Sequence, residues 1–168
     1  MKTPRPYQLE ACDAALRDLE VHDSTCLVLP TGTGKTFCAA RLMTQWQKGN
    51  SLFLAHTMEL IDQNAAHLAA EMDGYQPIVE MNVRGADPDL IESGGLIVVG
   101  SVQSMFRDKR LHKYAKHPFG LIVIDEAHRS SGASYRKIVK FFRDLNPSLK
   151  VIGLTATPVR ADNVSLGL

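Results

Sequence analysis

The chain has 168 residues, 45% of them apolar, and a net charge of +1 at pH 7, which predicts one domain with a sizeable core. That charge excludes a protein that holds nucleic acid by net basicity alone, although backbone amides and hydroxyls still bind phosphate oxygens. No apolar run approaches membrane-spanning length and Met1 to Arg5 is too short and polar for a signal peptide, so a cytoplasmic protein with no membrane partner is expected.

In chain order, Pro6 to Leu19 carries Leu9, Cys12, Ala15, Leu16 and Leu19 and predicts a helix with one apolar face. Cys26–Leu29 predicts a buried strand. Lys35 to Gln47, with Phe37, Ala40, Met43 and Trp46 at spacings of three, predicts a second helix. Ser51–Ala55 predicts a strand, Met58 to Met72 a helix, and Ile78–Met81 another strand. Asp87-Pro88 and Gly94-Gly95 mark loops around a short segment. Leu96–Val99 and Leu121–Ile124 predict strands, Ser134 to Leu145 a helix and Val151–Leu154 a last strand. The apolar runs are too short for helices and several are rich in Val and Ile, as buried strands are. Their alternation with helical patterns predicts an α/β sandwich with a mostly parallel central sheet.

Two strings carry the chemistry. Thr31-Gly32-Thr33-Gly34-Lys35-Thr36 lies between a predicted strand and a predicted helix. Gly32 and Gly34 allow backbone angles closed to other residues, so successive N–H groups can turn inward on an anion. Lys35 can reach β- and γ-phosphates, the Thr36 hydroxyl can ligate Mg²⁺, and the helix adds its N-terminal dipole. The usual first glycine of such a loop is replaced by Leu29. Asp125-Glu126-Ala127-His128 follows another predicted strand, at the carboxyl end where ligands collect in open α/β sheets. There Asp125 can hold Mg²⁺ and Glu126 can orient or deprotonate a water. A helix-capping pair is the simpler reading of two adjacent carboxylates, but downstream of a phosphate loop the hydrolysis site is favoured.

From Arg5 to Arg160 the chain resembles the first RecA-like domain of a superfamily 2 helicase or translocase of the DEAH type. The resemblance is nearest to the branch of restriction-enzyme translocase subunits and bacterial DNA-repair helicases. Arg5-Pro6-Tyr7-Gln8 resembles the adenine-reading element, which implies that Gln8 bonds the adenine edge and Arg5 contacts the base. Leu54 to Leu60, with His56 and Thr57, resembles motif Ia; Ser101-Val102-Gln103-Ser104 resembles the next strand-contacting element. Thr155-Ala156-Thr157-Pro158 resembles motif III, which implies that Thr155 and Thr157 couple hydrolysis to strand movement and that His128 bridges to them. Thr57 stands where many relatives carry Arg, implying a contact without charge. The resemblance also implies a RecA-like P-loop fold across residues 1–168, ATP and Mg²⁺ as cofactors, and nucleic acid as partner, DNA favoured over RNA. A second RecA-like domain, in cis or trans, would supply motifs IV to VI. It would also bring the arginine finger, worth roughly 10³–10⁵ in rate in related systems. A fragment or one part of a split motor, weakly active alone, is therefore expected.

Weaker signals surround these. Arg107, Lys109, Arg110, Lys113 and Lys116 form a basic cluster with His112, Tyr114 and His117, more readily a solvated face than a strand track. Trp46 and Phe37 read as core rather than stacking platforms. Cys12, Cys26 and Cys38 lack C-x-x-C spacing, and Cys26 and Cys38 read as buried thiols in a reducing compartment. His56 and His128 lack zinc spacing. Two further readings stand beside the motor. One is a nucleotide- or partner-binding module with little turnover. The other is a different P-loop class, against which Asn146-Pro147-Ser148-Leu149 does not match the GTPase string N-K-x-D.

Overall fold

The computed structural model describes residues 3–46, 48–56, 61–71, 77–80, 88, 95–129 and 132–157. Thr57, Met58 to Leu60, Met72, Met81, Asp87, Gly94 and Pro158 lie outside the described residues. Among those described, six strands form one parallel sheet in the order β1-β6-β5-β2-β4-β3. The strands are β1 (Ser24–Val28), β2 (Asn50–Ala55), β3 (Ile78–Glu80), β4 (Ile97–Ser101), β5 (Phe119–Ile124) and β6 (Lys150–Thr155). The helices are α1 (Pro6–Val21), α2 (Lys35–Gln45), α3 (Ile61–Glu71), α4 (Val102–Met105), α5 (Asp108–Lys113) and α6 (Ala133–Leu145). None is long and apolar enough to cross a membrane.

The sheet is parallel because both of its faces are covered. Side chains alternate across the strands, and each set meets its own layer of helices. Phe53 and Ala55 of β2 and Leu121 and Val123 of β5 join Cys12, Leu19, Cys38, Leu42, Ile61 and Leu68 of α1 to α3. Leu52 and Leu54, with Ile122 and Ile124, face Met105, Leu111, Ile138 and Phe142 of α4 to α6. Phe119 and Phe142 meet edge to face at 4.7 Å, the geometry favoured by the ring quadrupoles.

The elements differ from expectation mainly at their ends. β1 begins at Ser24, where pairing with Val151 starts; as an edge strand it keeps half-buried polar residues that apolar runs do not show. β4 runs on to Ser101 because Gly100 and Ser101 pair with Leu54 and Ala55, although both are poor strand formers. α4 and α5 are single short turns of helix, below the length at which periodicity is visible. Cys12 and Cys38 are buried and Cys26 is half-buried.

The basic cluster is not a uniformly solvated face. Glu80, at the end of β3, is fully buried and pairs with both Arg110 and Lys113. Tyr114, also fully buried, donates its hydroxyl to Glu80 Oε1 at 2.5 Å. The charge that buries these groups comes from a residue about thirty positions earlier in the chain. Arg107, Lys109 and Lys116 remain exposed.

Candidate active site

Two hydrogen bonds beyond the regular ladders carry the functional loops to one edge of the sheet. Leu29 N–H donates to Thr155 O at 2.8 Å, so the loop after β1 leaves beside the end of β6. Asp125 N–H donates to Leu54 O at 2.9 Å, so the acidic turn starts in register with β2. The carboxyl ends of β1, β6 and β5, neighbours in the sheet, therefore present their loops together.

The loop after β1 is held by its own backbone and by α1. Gly32 has φ +78° and Gly34 φ +93°, conformations strained for any L side chain. Gly34 is also the residue before the first turn of α2, and a Cβ there would clash with Gln8 Nε2. Thr33 Oγ1 donates to Pro30 O at 2.5 Å. The Thr33 carbonyl accepts from Tyr7 Oη at 2.9 Å and from Gln8 Nε2 at 2.7 Å. Gln8, buried, also accepts the Arg5 N–H at 2.8 Å through Oε1. The first turn of α1 thus clamps the loop from outside. Tyr7 is the residue missed by sequence reasoning, although it sits inside the Arg5-Pro6-Tyr7-Gln8 string. Arg5 Nη1 reaches Tyr7 Oη at 3.3 Å, Thr31 is exposed, and Thr36 is half-buried in the first turn of α2.

Across the site, Lys35 Nζ lies 3.3 Å from Glu126 Oε1. Glu126 has φ +50°, unusual for a residue with a side chain. Its N–H donates to Asp125 Oδ1 at 3.0 Å within the turn that follows β5. Burial first, and the Glu126 charge second, push the Asp125 carboxyl above the ordinary 3.8. His128, on the short 3₁₀ turn Ala127–Arg129, brings Nδ1 to 3.3 Å from both Glu126 Oε2 and Thr155 Oγ1. Thr155 Oγ1 donates to Thr157 O at 3.0 Å and accepts the Thr157 N–H at 3.2 Å. With its one proton given to Thr157, Thr155 can only accept from His128, which selects the Nδ1–H tautomer and directs that proton to Thr155 and Glu126.

His56, Ser101 and Gln103 lie at or just after the carboxyl ends of β2 and β4, further along the same edge. His56 Nδ1 is 3.4 Å from Tyr135 Oη. Ser101 is fully buried and its Oγ accepts the Ser104 N–H at 3.1 Å, capping α4. Gln103 is exposed. Phe37 and Trp46 pack partly buried against the core, and Phe37 also lines a cavity beside the loop.

Residues 1–160 match the family described as type III restriction enzyme, res subunit (ResIII). The chain is 36% identical to the putative ATP-dependent helicase IRC3 of Saccharomyces cerevisiae, over 98% of this chain and 25% of that protein. It is 33% identical to the type I restriction enzyme EcoAI endonuclease subunit of Escherichia coli, over 98% of this chain and 20% of that subunit. The chain thus spans a quarter or less of these relatives' lengths. In fold it matches the UvsW helicase from bacteriophage T4 with a TM-score of 0.72 at 22% identity, covering 98% of this chain and 56% of that one. The chain belongs to the ResIII family and has the RecA-like fold of superfamily 2 helicase domains.

Proposed function

We propose that residues 1–168 are the first RecA-like domain of an ATP-driven helicase or translocase that acts on DNA, completed by a second RecA-like domain. The observation that carries this reading is the 3.3 Å approach of Lys35 to Glu126, with His128 joining Glu126 to Thr155. A phosphate-binding cation, a carboxylate able to serve a water and a link to the next strand are what triphosphate hydrolysis coupled to movement requires.

In this reading the Gly32 to Thr36 amides and Lys35 bind the phosphates, while Gln8 and Arg5 serve the base. Glu126 orients the attacking water and takes its proton. The His128 Nδ1–H holds Glu126 and passes any shift of that carboxylate to Thr155 and Thr157. Among the described residues no group of three or more His, Cys, Asp or Glu could hold a metal alone. The oxygen donors present, the Thr36 hydroxyl and the Asp125 carboxylate, fit Mg²⁺, which takes one or two protein ligands alongside substrate phosphates and waters. Bound there, Mg²⁺ would neutralise charge on the β- and γ-phosphates. His56, Thr57 and Gln103 are the proposed strand contacts, and the capping role of Ser101 leaves it a positioning part. The likeness to the ATP-dependent DNA helicase MPH1 of Coccidioides immitis, 31% identical over 92% of this chain and 14% of that protein, favours DNA over RNA.

Steady-state ATP hydrolysis with single-stranded DNA, duplex DNA and RNA tests the reading. DNA stimulation that is lost in Lys35→Ala is expected. Stimulation by RNA alone would move the substrate to RNA. Stoichiometric ATP binding without turnover under all three would favour a binding module, a reading that the internal pairing of Lys35 with Glu126 also allows.

A further inference from the structure

A cavity of about 480 Å³ opens beside the phosphate loop, within the range of small-ligand sites. Gly32, Gly34 and Thr36 line it at the phosphate end, and Gln8 and Phe37 line it next to them. A third wall comes from α3, where His67, Ala70 and Glu71 enter at spacings of three and four, one stripe of a single helix face. The opposite stripe of α3, Ile61, Ala65 and Leu68, is buried in the core, so the helix is fixed in rotation about its axis.

Glu71 Oε2 is shielded from solvent and has no hydrogen-bond partner among the described residues. A buried carboxylate oxygen is an acceptor that calls for a donor. Gln8 narrows which donor. Its oxygen already takes the Arg5 N–H and its nitrogen already gives to Thr33 O, which leaves one acceptor site and one N–H for a ligand. A 6-amino purine carries two N–H donors on one nitrogen. Gln8 can accept one of them and leaves the second without a partner.

We propose that Glu71 is a specificity residue for the nucleoside end of this site, its carboxylate accepting the second N–H of the adenine 6-amino group. The inference rests on the nucleotide-site reading above. A 6-oxo purine would turn oxygen lone pairs toward the carboxylate and be rejected, so α3 contributes adenine selection from outside the recognised strings.

The test is a set of equilibrium dissociation constants for ATP, purine riboside triphosphate, GTP and dATP, on the wild-type chain, Glu71→Ala and Glu71→Gln. The wild type is expected to prefer ATP over purine riboside triphosphate by about tenfold, as a hydrogen bond to a charged group gives. Glu71→Ala should lower that ratio severalfold by weakening ATP alone, leaving the part that the Gln8 bond supplies, and Glu71→Gln should keep more of it. The ratio of ATP to dATP should be unchanged in both variants. Equal weakening of ATP and purine riboside triphosphate would overturn the proposal, as would loss of the ATP to dATP ratio, which would place the carboxylate on the ribose. If the wild type binds none of the four, the nucleotide-site reading falls with it; if it binds them and Glu71→Ala leaves the ratios intact, only the specificity assignment falls.

Discussion

Lys35 Nζ and Glu126 Oε1 stand 3.3 Å apart, although their loops leave strands separated in the sheet by β6. The lysine side chain is 14% exposed and the glutamate 36%, so the pair is partly shielded from solvent. Each is the other's counter-charge, and in the proposed function an incoming phosphate would compete with Glu126 for the lysine.

That competition sets the expected behaviour of Glu126→Gln. Removing the carboxylate charge frees Lys35, so ATP should bind at least as tightly as in the wild type. Turnover should fall by about 10² or more, the usual contribution of a positioned general base. Binding isotherms and steady-state rates on the same preparation separate the two effects. A variant that binds ATP tenfold more weakly would show that Glu126 does not oppose the phosphate.

Asp125 carries the next expectation. Its folded-state carboxyl is held above 3.8 by burial and then by Glu126, so the folded chain binds this proton more tightly than the unfolded chain. The associated stability is fully present below 3.8 and is lost as pH rises through the raised value, which makes ionised Asp125 a cost at neutral pH. Asp125→Asn keeps the oxygen that accepts the Glu126 N–H and removes the charge. Melting curves should show the variant more stable than the wild type at pH 7, with the gap narrowing below pH 4. Its nucleotide binding should lose Mg²⁺ dependence. A variant less stable at pH 7 would contradict the assignment.

Gly34→Ala tests the fit of the phosphate loop to α1. The φ of +93° costs an L residue about 1–2 kcal/mol, and the added methyl would meet Gln8 Nε2. Loss of about 2 kcal/mol or more in denaturant unfolding is expected. Gln8→Ala should relieve the contact but not the backbone strain, giving a coupling of about 1 kcal/mol in the double-mutant cycle. Strict additivity of the two changes would mean that the loop moves away from Gln8 unaided.

Glu80→Ala should be among the most destabilising single changes away from the active site. It leaves Arg110 and Lys113 beside a buried position without their carboxylate, a loss of about 3–5 kcal/mol for pairs of this kind. Denaturant midpoints measure it, and nucleotide affinity in the surviving folded fraction should not change. A loss below about 1 kcal/mol would return the cluster to a solvated surface.

Legibility in the sequence tracked how locally each feature is determined. β5 is buried along all six residues, and its core shows in the apolar run Leu121–Ile124. The edge strand β1 begins with Ser24 and Thr25, whose place is set by pairing with β6 and not by their own polarity. Lys35, Asp125 and Glu126 stand in short strings because loop geometry demands neighbouring residues. The clamp of Tyr7 and Gln8 on Thr33 O joins positions about 25 apart and has no local pattern. Glu80 reads in sequence as one charge inside the short run Ile78–Met81, and only its partners on and beside α5 make it a core residue. Ser101 shows the converse, since its hydroxyl resembles a strand contact and is used to cap α4.

The most direct measurement is calorimetric titration of the wild-type chain and of Lys35→Ala with ATP, with and without Mg²⁺. Saturable, Mg²⁺-dependent binding that weakens at least tenfold in Lys35→Ala is the predicted result. Equal affinity in the two proteins would contradict the account, because the charge that Glu126 now holds would then have no part in binding phosphate.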